Sequence, residues 1–398
     1  MSNHGPMQGI RVIEMGQLLA GPFTGHMLAY FGADVIKIES PGSGDPIRSW
    51  RMLEEGTSYW WRSLGRNKQS VTLNLKSERG RELARDLILS ADVLIENFRP
   101  GKMESWGLGP EVFAEDHPSL VYTRVSGYGQ TGPYSSKPGF ASACEAMGGF
   151  RHINGFPDRP PVRPNLSIGD TLAGMHAVMG TLMALFHRER SEGQGQVVDV
   201  SILESVYNLM ESVVPEYSGT GAVRAPSGST LTGIVPTNTY LCGDGKYVVI
   251  GGNGDSIFKR LMKCAECQEL ADDPRLADNQ GRVEHETEID AALSAWTGSL
   301  NSADVLDALE QAAVPSAPIY TVEDMARDPH FRERGMFETV TYDDKSLEVP
   351  SVHPRLTVTP GETRWAGPAL GEHTDQVLAA VLSLDAETIA DLHRDGVV

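Results

Sequence analysis

The alternation of strand and helix signals over the first 130 residues constrains this chain more than any other feature. Residues 10–14 and 33–38 are short runs rich in Ile and Val, and residues 21–31 between them read as a helix. Residues 70–75 alternate polar and apolar. Ser77 then stands where its hydroxyl can cap a helix carrying Leu83, Leu87 and Ile88 on one face. Two more strands follow at 93–95 and 120–125. Repeated β-α-β spacing predicts an α/β fold with an open, mostly parallel sheet and helices on both faces.

Residues 131–168, rich in Gly, Pro and Arg, interrupt this rhythm. A helix is predicted from Asp170 to His187, with Leu172, Met175, Met179, Leu182 and Phe186 as its apolar face. Its small residues Ala173, Gly174, Ala177 and Gly180 imply tight packing. After a strand at 197–202, the composition shifts to Ser, Gly, Thr and Pro around 217–226, a linker signal. Residues 239–242 and 247–250 then flank Gly243-Asp244-Gly245-Lys246 as a hairpin, with helices expected between 255 and 313. A strand at 317–320 and a short helix at 322–326 complete a second, smaller α+β domain. The tail from 337 carries strands and a closing helix after Gly371.

A length of 398 residues suits two or three domains, or one large interleaved unit. Net charge is −19, which argues against a nucleic-acid partner, because phosphate binding needs clustered Lys and Arg. A small anionic ligand remains compatible, since a few bases and backbone N–H groups suffice for it. No stretch reads as long enough to cross a bilayer, and the first residues lack the basic and apolar regions of a targeting peptide. The expectation is a cytoplasmic protein with no membrane partner. Of four cysteines, Cys264 and Cys267 form a C-x-x-C well inside a predicted helix. Without a second pair they read as reduced thiols rather than a zinc site.

The opening unit imitates a dinucleotide fold, with Glu39 about where a ribose-binding acid falls. Residues 16–21 nevertheless read Gly-Gln-Leu-Leu-Ala-Gly, and Leu18 stands where a glycine must admit a pyrophosphate. Asp170 opens the long helix. It is suited to capping, since Asp at a helix start accepts N–H bonds at the positive end of the dipole. The same place keeps a carboxylate ionised as a nucleophile and offers N–H groups to an oxyanion. The run at 227–233, Ser-Gly-Ser-Thr-Leu-Thr-Gly, suits a linker or a loop that moves over a site.

Several segments together resemble the class III CoA-transferases, the family of formyl-CoA transferase and the carnitine CoA-transferase. They are Leu19-Ala20-Gly21-Pro22, Phe31-Gly32-Ala33-Asp34-Val35-Ile36-Lys37-Ile38-Glu39, Asn67-Lys68 and Leu73-Asn74-Leu75-Lys76. Glu96-Asn97-Phe98-Arg99-Pro100-Gly101, Ser126-Gly127-Tyr128-Gly129-Gln130-Thr131-Gly132-Pro133, Gly169-Asp170 and Gly193-Gln194-Gly195-Gln196 follow in order. Asp328-Pro329-His330 and Leu370-Gly371-Glu372-His373-Thr374 extend the match nearly to the end.

The resemblance implies a large Rossmann-like CoA-binding domain from both chain ends (1–205 and 335–398), a linker (206–225) and a small α+β domain (226–334). It also implies an interlocked, ring-like homodimer. The substrates would be a CoA thioester and a carboxylic acid, with no tightly bound cofactor and no metal. Asp170 matches the family's catalytic aspartate, which forms first a mixed anhydride and then an aspartyl-CoA thioester. By motif position Leu73, Asn74 and Lys76 line the adenine end, and Asn97, Phe98, Arg99 and Lys102 frame nucleotide and pantetheine, with Lys137 nearby. Gly228 and Ser229 fall where formyl-CoA transferase carries a mobile glycine loop.

Four departures bear on the substrate. Ser40 and Ser105 occupy places where relatives carry an arginine, Leu19 replaces a glutamine of the formyl enzyme, and Ala141 lies where many members have an acid. These changes weaken a formyl-CoA:oxalate assignment. Arg159 and Arg163 could instead bind the far carboxylate of a dicarboxylic acid, which favours succinyl-CoA or a similar donor. The alternative within the family is an acyl-CoA racemase, whose histidine is missing from residues 140–144.

Overall fold

In the computed structural model, which describes residues 5–398, the apolar runs of the first half assemble into one six-stranded parallel sheet. Its strands are β1 (Arg11–Glu14), β2 (Asp34–Glu39), β5 (Lys68–Thr72), β6 (Val93–Glu96), β7 (Val121–Ser126) and β8 (Val197–Ser201). A two-strand ribbon, β3 (Leu53–Glu54) with β4 (Thr57–Ser58), lies outside it. The spatial order is β5-β2-β1-β6-β7-β8, every pairing being parallel. The chain therefore builds outward from β1 in one direction and, after β5, from β1 in the other. Crevices at such a reversal, beyond the carboxyl ends of the strands, are where open α/β sheets bind ligands.

Helices cover both faces, which is why β6 and β7 are buried along their whole length. On one face α3 (Glu78–Leu89) packs Leu83, Leu87 and Ile88 against Ile13, Ile36 and Leu94. Its cap is as expected, the Ser77 hydroxyl accepting from Gly80 N at 3.0 Å. Short helices α4 (Lys102–Ser105) and α5 (Pro110–Asp116) follow β6. The chain end returns to this layer as two helices, Thr374–Leu382 and Ala386–Arg394, with Thr374 Oγ1 accepting from Thr72 N at 3.0 Å. On the other face lie α1 (Ala20–Tyr30) and α8 (Ile168–Arg188); α2 (Tyr59–Leu64), α6 (Ala141–Met147) and α7 (Phe150–Ile153) fall between them in sequence.

The buried face of α8 is not the expected one. Met175, Met179, Leu182 and Phe186 are exposed, while Gly169, Ala173, Gly174, Ala177, Thr181, Ala184 and Leu185 are buried. The small residues let the helix sink onto its neighbours. A Cβ at Gly174 would stand 2.8 Å from Phe23 and 3.0 Å from the Ala20 carbonyl, and one at Gly180 would stand 2.5 Å from Val198. Thr181 and Thr123 share a buried 2.7 Å hydrogen bond beneath it. By length and composition alone this 21-residue helix would also pass for a membrane span, contrary to the sequence expectation. One face of it packs on α1 and β7, and the other, with Met183 and Phe186, is exposed.

Residues up to Phe150, 164–218 and 333–398 form one compact unit, and 151–163 with 219–332 a second. The expected linker at 206–225 contains the end of α9 (Ile202–Tyr207) and all of α10 (Val213–Thr220). In the second unit β9 (Thr237–Leu241), β10 (Tyr247–Gly251) and β11 (Ser316–Pro318) form an antiparallel sheet in the order β11-β10-β9. It packs on α11 (Asp255–Cys264) and on helices Glu286–Gly298 and Ser302–Gln311 through Phe258, Leu261, Leu293 and Leu309. Cys264 ends α11 and Cys267 lies in the turn after it, so the C-x-x-C is not inside a helix; both thiols are free. In the first unit β12 (Phe337–Tyr342) and β13 (Lys345–Pro350) form a hairpin.

Candidate active site

The reversal point lies between β1 and β6, and the loops leaving these strands are tied together there. Gln17 N donates to Asn97 Oδ1 at 2.7 Å, and Asn97 Nδ2 donates to the Gln17 carbonyl at 2.8 Å. Gly16 and Gly21 make room: a Cβ on either would come within 3.3 Å of the Asn97 side chain. Leu18 adopts the left-handed conformation (φ 63°), held by its N–H donating to Asp45 Oδ1 at 2.9 Å.

Beneath this loop sits a fully buried charge cluster. Lys37 Nζ lies 2.9 Å from both Glu14 and Asp45 and donates to the Gly16 carbonyl at 2.7 Å. Lys68 Nζ lies 2.7 Å from Glu14 and donates to the Pro22 carbonyl at 2.6 Å. Two cations and two anions balance, a condition for burying such groups at all. Glu39 is accounted for in the same way. It takes a bidentate pair from Arg48 and a hydrogen bond from Ser70 Oγ at 2.6 Å, so it is a structural acid rather than a ribose ligand.

The candidate nucleotide residues sit on loops that leave the carboxyl ends of β5 and β6. Leu73 is buried in the core and offers only its backbone. Asn74 accepts from Lys76 N at 3.1 Å and receives the chain end, its N–H donating to the Val397 carbonyl at 2.8 Å. That leaves the Lys76 side chain exposed. After β6, Phe98 N donates to Glu96 Oε2 at 2.8 Å, and the Phe98 ring meets Trp106 edge-on at 5.2 Å. Lys102 lies over Trp106 at 4.3 Å, and Arg99 points to the surface. Arg124 fastens the turn, bonding Glu96 and Glu104 at 2.7 Å each.

Asp170 lies at the same edge of the sheet. The α8 crossover links parallel β7 and β8, so α8 starts at the strands' carboxyl ends. Ser167 is the N-cap, and half-buried Asp170 is the third helical residue rather than the cap itself. Gly169 N donates to Glu145 Oε1 at 3.2 Å. Cys144, buried on α6, donates its thiol to the Gly127 carbonyl at 3.2 Å. Burial first, then the charges of Asp170 and Glu145, push this thiol up to about 11, against a hydrogen bond from Tyr128. It therefore stays protonated and does not compete as a nucleophile. Tyr128 stacks edge-on with Tyr134 at 6.1 Å, and Lys137 lies 3.6 Å over the Tyr134 ring, so Lys137 stands at the outer end of an aromatic path to Cys144. Gly127 and Gly139 pass too closely for any Cβ, 2.8 Å from a neighbour in each case.

Leu19, the first α1 residue's neighbour, lines a 690 Å³ cavity with Phe23, His26, Trp60 and Leu172. Ile168, Thr171 and Met175 also line it, which is the opposite side of α8's first turn from Asp170 at 100° per residue. The remaining candidates belong to the second unit. Arg163 is exposed, with Arg159 over Phe156 at 5.2 Å. The 227–233 run is a pinned turn: Gly228 (φ 72°) donates to the Gly155 carbonyl at 2.9 Å, and Ser229 Oγ donates to Asn238 at 2.6 Å. Among the described residues no group of three or more His, Cys, Asp or Glu side chains is set to hold a metal ion.

Glu145, Arg124 and the Glu14–Lys37–Lys68–Asp45 cluster were not foreseen. The usable signal was charge inside apolar runs, as in Val-Ile-Lys-Ile-Glu at 35–39 and Ala-Cys-Glu-Ala at 143–146.

The reversal of the parallel sheet and the helix-borne Asp170 carboxylate both lie at the carboxyl ends of the strands, as in a Rossmann-like architecture. The model of CoA-transferase family III matches residues 7–374. The chain is 46% identical to the succinyl-CoA–D-citramalate CoA-transferase of Chloroflexus aurantiacus, over 99% of this chain and 98% of that one. It is 38% identical to the beta subunit of the succinyl-CoA–L-malate CoA-transferase of the same organism, over 99% and 98%. It is 31% identical to the succinyl-CoA:glutarate CoA-transferase of Homo sapiens, over 100% and 91%. The crystal structure of a CAIB/BAIF family protein from Brucella suis matches with a TM-score of 0.84 at 32% identity, covering 95% of this chain and 100% of that one. The chain belongs to CoA-transferase family III and is an enzyme whose substrates are CoA thioesters.

Proposed function

We propose that this enzyme moves CoA from succinyl-CoA, or a similar dicarboxylic thioester, to a dicarboxylic acid through covalent intermediates on Asp170, as a cytoplasmic homodimer. The observation that carries the reading is the Asp170 carboxylate in the first turn of α8, at the sheet edge that also presents the β5 and β6 loops. The positive helix end favours its ionised, attacking form. Attack on the donor thioester carbonyl gives a mixed anhydride and CoA thiolate. The thiolate then attacks the Asp170 carbonyl of the anhydride, releasing the donor acid and leaving an aspartyl-CoA thioester. The acceptor carboxylate attacks that thioester, and the released thiolate takes the acceptor acyl group, regenerating Asp170. The activation passes from the donor acyl group to the Asp170 carbonyl and then to the acceptor without loss to water, so no ATP is consumed.

Lys76, Arg99, Lys102 and Lys137 are proposed to meet the CoA phosphates and pantetheine, with Leu73, Asn74, Asn97 and Phe98 shaping the loops. Arg163, with Gly228 and Ser229, is proposed to contact the acid. Dicarboxylic acids are favoured because the relatives just described act, by name, on succinyl-CoA with citramalate, malate or glutarate. Leu19 lines a cavity on the side of α8 away from Asp170, so the proposed choice of acid does not rest on it.

Intact-mass analysis after incubation with a panel of acyl-CoAs tests this reading. The expected result is an adduct with succinyl-CoA on the wild type and none on Asp170→Ala. No adduct with any donor, together with α-proton exchange on the acyl-CoA, would establish the racemase instead.

A further inference from the structure

We propose that Glu96 is a positioning residue for the loop after β6, holding it in its CoA-binding form only as a carboxylate, so that taking up a proton weakens CoA binding. The proposal rests on the reading of residues 97–102 as a CoA-binding segment. Glu96 ends β6 and is 1% exposed. In the parallel register it stands beside Arg124 of β7, whose Nε donates to Glu96 Oε1 at 2.7 Å. Glu96 Oε2 accepts from Phe98 N at 2.8 Å, across the start of the loop. The other two guanidinium nitrogens of Arg124 donate to Glu104 of α4, at 2.7 and 3.2 Å. One cation therefore holds both ends of the segment, the carboxylate where it starts and the helix where it finishes. Between them Asn97 ties to Gln17, and Gly101 turns in the left-handed region (φ 85°).

Both partners of Glu96 are pure donors, since neither an Arg guanidinium nor a backbone N–H can accept a hydrogen bond. An added proton turns one Glu96 oxygen into a hydroxyl and removes the charge that strengthens both bonds. Arg124 stays anchored by Glu104, so the tie that gives way is the one to Phe98. The surroundings direct the proton to Glu96. It shares one cation with Glu104, whose partly exposed carboxyl is held low by its bond to Arg124. Burial, outweighing Arg124 and the Phe98 N–H, pushes the Glu96 carboxyl up to about 7. Tyr122, also on β7, is kept neutral by burial, and Glu111 of α5 acts on Tyr122. Glu14 of β1 stands beside Ile95, on the other face of the sheet, and is paired with Lys37 and Lys68. The Phe98 bond favours the carboxylate, so protons favour the loop without it. CoA affinity is then retained above about 7 and lost as pH falls through that value.

Calorimetric titration with free CoA from about pH 6 to about pH 8.5 tests this on the wild type, Glu96→Gln and Glu104→Gln, with melting temperature as the check on folding. Glu96→Gln keeps the size but turns an amide NH2 toward one of two donors, so it stands for the protonated state. It is expected to bind CoA about tenfold more weakly than the wild type at the alkaline end and to converge with it at the acid end. Its own residual slope reports the titrating phosphate of CoA, which both proteins share. The loss should appear in KM far more than in kcat. Glu104→Gln removes a like charge, so the midpoint of its affinity curve should move to lower pH. That variant decides the matter if Glu96→Gln fails to fold. Parallel curves for the wild type and Glu96→Gln, or an unmoved midpoint in Glu104→Gln, overturn the proposal. Arg99→Ala combined with Lys102→Ala is measured first: wild-type CoA affinity in that double variant overturns the CoA reading of the loop itself, and this proposal with it.

Discussion

Glu39 shows how a residue at a motif position can serve stability rather than ligand binding. Burial alone would raise its carboxyl. Bonding to Arg48, the charges of Lys37 and Arg48, and Ser70 together outweigh that and hold it down, from 4.5 to about 2. The folded value lies below the unfolded one, so the stabilisation is complete above about 4.5 and is lost as pH falls toward 2. A shift of this size corresponds to a contribution on the order of 3 kcal/mol at neutral pH. Glu39→Gln should lower the melting temperature at pH 7 by several degrees and converge on the wild type as the buffer is acidified. Melts followed by circular dichroism from neutral pH downward check this. Parallel wild-type and variant curves through the acidic range would show that Glu39 carries no such linkage.

At the level of elements, what the sequence exposed and what it hid have a common cause. The Ser77 cap and the Gly-Asp-Gly-Lys hairpin depend on near neighbours and are found where local pattern puts them, while the alternating run at 70–75 is strand only as far as Thr72. The face of α8 depends on what its partners can accept. Two stripes were available, one of large apolar residues and one of small ones. The small stripe won because α1 and β8 come too close for anything larger. Asp170 lies on the side of that buried stripe, which is why it faces α6. Its motif was legible; Glu145, from an element 24 residues away in sequence, was not.

Gly174→Val tests this account of α8. The new side chain collides with Phe23 and the Ala20 carbonyl, and overpacking of this kind costs about 1–3 kcal/mol. Because α1 continues directly from the Gly16–Leu19 loop, KM for the CoA thioester should rise along with the loss of stability. Gly298→Val, where an added Cβ meets nothing within 4 Å, should leave the fold within about 0.5 kcal/mol of the wild type. Thermal melts and steady-state kinetics separate the two. Equal sensitivity at both positions would mean that α8 is not seated by its small residues.

For the whole molecule, the exposed stripe of Met175, Met179, Leu182, Met183 and Phe186 demands a partner, since soluble chains rarely leave so continuous an apolar surface in water. The proposed occupant is a second copy of the same chain, threaded through the first. Threading differs from surface docking in a measurable way. Docked dimers exchange subunits on dilution, whereas threaded ones exchange only after at least one chain unfolds. Sedimentation should give twice the chain mass of 43.2 kDa. Mixtures of tagged and untagged dimers should stay unmixed at low concentration and form hybrids only after denaturation and refolding. Prompt hybrid formation in native buffer would rule out threading while leaving a dimer. Phe186→Glu sharpens the comparison. In a docked dimer it yields folded monomers, but in a threaded one it lowers the melting temperature and the yield of folded protein together, because assembly and folding are then one process.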